Sequence, residues 1–176
     1  MTPRLIRTGL ALAFTCTAVA AGADHAGADH AGADRGRSAD AGLQAVRAWT
    51  ERYQSEPAAL ADGYVATNDC VPDMGYHYID FSRLDTRLEP SRPEALLYAS
   101  SPDGGRVLVG AEWIVVDRDQ GLATDDDRPA VFGHDFDGPM PGHGPGMPIH
   151  YDLHAWAWAD NPNGGFATWN PTITCP

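Results

Sequence analysis

Six side chains in this sequence have the chemistry to hold a metal ion: His77, Glu112, His143, His150, Asp152 and His154. Imidazole and carboxylate groups suit zinc, copper or iron, so a cofactor here would be one of those ions. Glu112 is the most pointed of the six. It interrupts an apolar run, with Leu108-Val109-Gly110-Ala111 before it and Trp113-Ile114-Val115-Val116 after it. A carboxylate in that setting must face water or find a partner, because burying it unpaired is costly. His150, Asp152 and His154 fall on one face of a strand, joined by Trp156 and Trp158. Residues four apart on a strand lie roughly 13 Å from each other, so His150 and His154 share one ion only if the strand bends. On a helix the same spacing would suit a metalloprotease motif, but the glutamate that should follow the first histidine is replaced by Tyr151. The candidate ligands are therefore His77, Glu112, His150 and His154, with Asp152 and His143 behind them to orient the imidazoles. The plainer alternative is a polar cluster in which Asp152 and backbone carbonyls satisfy the histidines and His143 is merely exposed in a loop.

Other chemistry is less well supplied. No serine sits in a G-x-S-x-G elbow, and no residue stands out as a catalytic nucleophile. Asp117, Asp119 and Asp125-Asp126-Asp127 are rich in oxygen, yet they lack EF-hand spacing, and an acidic run in a loop is ordinarily just solvated.

Something must carry these residues. Leu43, Val46, Trp49 and Tyr53 recur at helical spacing, and a second short helix is predicted from Glu56 to Asp62, with Ser55 as cap, Pro57 in the first turn and Gly63 as stop. Beyond Gly63 the pattern turns to strands. Ala95 to Tyr98 and Arg106 to Val116 flank the turn Ser101-Pro102-Asp103-Gly104-Gly105, which predicts a hairpin. A last strand is expected from Ile149 to Trp158, after a connection over 117–148 whose glycines and prolines read as a long loop. The fold class expected is α+β, with N-terminal helices packed on a mainly antiparallel sheet in a single domain.

The N-terminal residues read as an address label. Arg4 and Arg7 precede a short apolar stretch, and Ala18-Val19-Ala20 and Ala21-Gly22-Ala23 fit the small-x-small cleavage rule, so 1–23 is expected to be a signal peptide. The repeat AGADH-AGADH-AGADR has no apolar residue to bury beyond alanine, which predicts a disordered spacer over 24–40 and a globular domain over 41–176. The expected location is secreted, extracellular. Loss of Cys16 with the leader leaves Cys70 and Cys175, an even count that predicts a disulfide outside the cytoplasm. The chain has 24 acidic against 12 basic residues and no lysine, which argues against nucleic-acid binding. No transmembrane segment is expected, and an envelope or protein partner is not specified.

Several stretches resemble a family of small secreted actinobacterial proteins of unknown function. They are Ala61-Asp62-Gly63-Tyr64, Asp69-Cys70-Val71, Met74-Gly75-Tyr76-His77-Tyr78, Pro93-Glu94-Ala95-Leu96-Leu97-Tyr98, Gly110-Ala111-Glu112-Trp113, the long segment FDGPMPGHGPGMPIHYDLHAWAW over 136–158, and Trp169-Asn170-Pro171 with Cys175. The segment between Cys70 and Met74 is shorter than in that family. The resemblance implies secretion and a Cys70–Cys175 pairing, and it implies no reaction. Three functions remain open at this level: a secreted metal-binding module, a structural or interaction module of the cell envelope, and a metal-dependent enzyme.

Overall fold

The computed structural model describes residues 25–176, with side chains from residue 36 onward. The signal peptide expected over 1–23 lies outside the described residues. Helix α1, His25–Thr50, begins within the AGADH repeat, ahead of the start near Ala41 that composition predicts. Alanine-rich backbone has high intrinsic helix propensity, so helix is compatible with a segment that has no apolar face to bury. The expected face emerges further on. Val46 and, in the 3₁₀ turn Glu51–Gln54, Tyr53 are buried in the core, and Leu43 and Trp49 pack against it. Helix α2, Glu56–Ala61, ends one residue before the predicted Asp62, which caps it, and carries Pro at its start; Gly63, at φ 98°, reverses the chain into the sheet.

Six strands form one antiparallel sheet in the order β1-β2-β3-β4-β8-β7: β1 Val65–Val71, β2 Gly75–Ile79, β3 Ala95–Ser100, β4 Arg106–Val116, β7 Asp137–Met140 and β8 His150–Ala155. The architecture is α+β with a mainly antiparallel sheet, as the patterning predicts. A separate two-stranded pair, β5 Ala130–Val131 and β6 His134–Asp135, turns through Phe132 and Gly133, both at positive φ. The 117–148 connection is thus not the continuous loop expected of it. Its strands are two to four residues long, too short to show a period among glycines and prolines.

Period-two alternation gives the sheet two unlike faces. On one, Tyr76, Tyr78, Leu96, Tyr98, Leu108, Ala111, Trp113, Val115, Tyr151, Leu153 and Ala155 form the main core with Val46, Tyr53 and Ala59 from the helical segment. At about 25 cal/mol per Å², full burial of each larger side chain contributes roughly 1.5–3 kcal/mol, so this face dominates folding. The other face carries a smaller cluster, Leu97, Val109, Trp156 and Ile173, and beside it the buried polar residues. Ile173 arrives on the C-terminal tail, which is fastened by the Cys70–Cys175 disulfide and by backbone hydrogen bonds from Asp73 to Ile173 and from Asn170 to Asp73.

Strand β8 ends at Ala155, three residues short of the predicted Trp158. The Ala157 N–H bonds back to the Ala155 carbonyl, which breaks the alternation. Trp156 therefore stays on the polar face, whereas Trp158 turns to the helices and donates from Nε1 to Thr50 Oγ1 at 2.9 Å. Among the described residues, no helix is long and apolar enough to cross a membrane.

Candidate metal centre

Register brings the polar residues together. Glu112 on β4 lies opposite His154 on β8, Ile114 opposite Asp152, and Val116 opposite His150. His77 on β2 reaches the same face across β3, through Leu97 and then Gly110. A bulge assists this: Leu97 pairs with Gly110 but Tyr98 pairs with Leu108, so Val109 is the extra residue and the strand twists there. Gly110 allows β4 and β8 to close up, since a Cβ at this position would stand 2.6 Å from the Ala155 carbonyl oxygen.

Two groups of ligand atoms result, and each contains two histidines and one carboxylate. In the first, His77, Glu112 and His154 present ligand atoms within 4.8 Å of one another. His77 Nε2 is 3.5 Å from Glu112 Oε2, and His154 Nε2 is 3.8 Å from Glu112 Oε1. Neither pair makes a hydrogen bond. Bonds of about 2.0–2.1 Å to a tetrahedral ion set ligand atoms roughly 3.3 Å apart, so a small contraction would close this triad on an ion. In the second group, His143, His150 and Asp152 meet the same 4.8 Å limit. His150, expected beside His77, Glu112 and His154, instead meets His143 and Asp152, because four residues of extended strand separate it from His154.

The surroundings are dry. His150, Asp152, His154 and Glu112 are at most 3% exposed, while His77 is half-buried and His143 is exposed. Trp156 lies nearly parallel to the His154 ring, with centroids 6.2 Å apart, and fixes its own indole N–H on the Ala167 carbonyl. Buried polar atoms are nearly always hydrogen-bonded in folded proteins. Here Glu112 Oε2, Asp152 Oδ1, His150 Nε2 and both ring nitrogens of His154 have no partner, five of the seven such buried side-chain atoms among the described residues. The orphaned atoms are therefore concentrated where the ligand types converge, which argues against the self-satisfied polar cluster.

Charge is disfavoured throughout. Burial pushes the His77 imidazole down to about 4, with His143 adding to the effect. Burial likewise brings His154 to about 3, helped by His77 and His143. Burial raises the Glu112 carboxyl well above its ordinary range, and the nearby Asp152 and Glu94 carboxylates raise it further. Asp152 is pushed up to about 7 by burial and by Asp137. Histidines held neutral keep their lone pairs free for a metal at all but acid pH, and a cation would restore the carboxylates to their ionised form.

Compared with protein-family models, with curated proteins and with solved structures, the chain matches none.

The acidic residues of the 117–127 loop have other tasks. Asp117 and Asp119 accept from the Gly121 N–H, Asp119 also from the Thr124 hydroxyl, and Asp127 from the Arg118 N–H, so they shape the loop. Two buried acids carry no mark in the residue pattern used above: Asp80, ion-paired with Arg83 at 2.8 Å, and Glu94, 2% exposed, whose Oε2 accepts from the Ile114 N–H at 3.0 Å. The signal for Glu94 is a lone carboxylate directly before the apolar run of β3.

Proposed function

We propose that this is a secreted protein that binds a divalent transition-metal ion through His77, Glu112 and His154. The observation that carries the reading is the coincidence of unpartnered, buried ligand atoms with a two-histidine, one-carboxylate arrangement. Zinc, copper and iron all accept that donor set. The resemblance to secreted actinobacterial proteins and the disulfide support an extracellular setting, where a bridged cysteine pair persists. In this reading the N-terminal helices cover the apolar face of the sheet and leave the polar face to the ion.

A metal-dependent enzyme is the second reading, favoured by ligand number. Structural zinc sites are closed by four protein ligands, whereas three leave a coordination position for water or substrate. His77 is the one member of the triad that is partly exposed to solvent.

The test is metal titration followed by thermal unfolding, on chain carrying His25→Ala and His30→Ala so that the repeat cannot contribute ligands. Zinc should raise the melting temperature of this parent, since a ligand that binds only the folded state stabilises it. Glu112→Gln keeps the shape and removes the charge. It should fold as well as the metal-free parent yet show a smaller zinc-dependent rise than the parent does, and His77→Ala should do the same. Equal zinc response in the parent and both variants would defeat the proposal.

A further inference from the structure

We propose that His143, His150 and Asp152 form a second divalent-metal site, joined to the first through Asp152. The joining rests on the reading of the first centre; the second site does not. His150 Nδ1 lies 3.1 Å from the Pro148 carbonyl, which can only accept, so Nδ1 holds the proton and donates it. Nε2 is thereby left as a bare lone pair, the form in which imidazole ligates metals. That atom is fully buried and has no partner.

Asp152, on the same strand face, supplies the carboxylate. His143 supplies the third ligand from the 141–149 loop, its ring centroid 5.0 Å from that of His150. Two features shape this loop. Gly142 approaches the Met147 carbonyl so closely that a Cβ would stand 2.0 Å from its oxygen. At the loop's end, Ile149 and Gln120 exchange two hydrogen bonds of 2.9 Å.

Asp152 also faces the first centre, with Oδ1 3.9 Å from His154 Nδ1. His154 presents its other nitrogen, Nε2, to Glu112. Metal-binding histidines ordinarily donate their second N–H to a carboxylate, which fixes the tautomer and strengthens the ligand. Asp152 can thus ligate the second ion with one oxygen and orient His154 on the first ion with the other. Two cations on this face also account for the orphaned atoms of two carboxylates and two buried histidines, Glu112, Asp152, His150 and His154.

The experiment is native mass spectrometry and calorimetric zinc titration of chain bearing His25→Ala and His30→Ala, at high salt to screen capture by the acidic surface. Two zinc ions per chain are expected. His143→Ala changes an exposed residue, so it should fold normally, keep one ion and weaken the other at least about tenfold. Glu112→Gln should also keep one ion, the other one. Asp152→Asn, which preserves shape, should weaken both. Retention of both ions by His143→Ala, or a single ion in the parent that His143→Ala retains, overturns the second site. A single ion lost in His143→Ala but retained by Glu112→Gln supports the second site and removes the first. Weakening of only one ion by Asp152→Asn overturns the link between them.

Discussion

Glu94 shows what one buried carboxyl does to this fold. Burial, opposed by hydrogen bonds from backbone and by Arg83, pushes it up from 4.5 to about 7. The folded chain therefore holds a proton that the unfolded chain releases once pH passes the ordinary glutamate value. Stability from this group is complete below that value and is lost as pH rises through 7. The loss is on the order of 3 kcal/mol for a shift of this size. Glu94→Gln keeps an oxygen to accept from the Ile114 N–H and has no charge to bury. It should melt higher than the parent at pH 8 and about the same at pH 4.5; a parallel dependence on pH in the two proteins would count against the assignment. The same physics governs Glu112 and Asp152, except that there a cation, not a proton, is the proposed remedy.

At the scale of elements, the β4–β8 pair matters most, because it sets Glu112 opposite His154. Gly110 controls how closely the two strands approach. Gly110→Ala meets no barrier of positive φ, only the Ala155 carbonyl at 2.6 Å and Leu97 Cδ1 at 3.3 Å. Forcing a methyl group into such a contact costs about 1–3 kcal/mol. The variant should melt lower than the parent, and calorimetry should find its zinc affinity reduced, because the triad spreads as β8 is pushed aside. A lowered melting temperature with unchanged affinity would show that the strand contact matters to folding alone.

For the whole molecule, the Cys70–Cys175 bridge ties edge strand β1 to the tail that carries Ile173 across the second face. The linked residues are 105 apart in sequence. Closing a loop of about 100 residues stabilises by roughly 4–5 kcal/mol in the chain-entropy model. Replacing both cysteines by serine should lower the melting temperature by about 10 °C or more, read by circular dichroism. The net charge of −12 acts over the same scale. It concentrates cations near the surface, but salt should strip these while leaving an ion held by buried ligands.

Much of this was legible in the residues. Glu112 inside an apolar run could only be exposed or partnered, and the 150–154 alternation placed two histidines and an aspartate on one face once it was read as a strand. The face of α1, the span of α2, the β3–β4 hairpin and the cysteine pair followed from periodicity, turn chemistry and count. Local pattern could not decide which residues meet, because that depends on strand order and register. The pairing of β4 with β8 joined Glu112 to His154, and the bulge at Val109 set the alignment with β3 that brings His77 to the same side. The short strands of the 117–148 connection had no period to read, and the backbone turn at Ala155–Ala157 sent Trp158 to the face opposite the one alternation assigned. Local sequence determined the types of ligand and the faces they lie on; long-range pairing of strands, whose register is set by burial of the opposite face, decided that they form two triads.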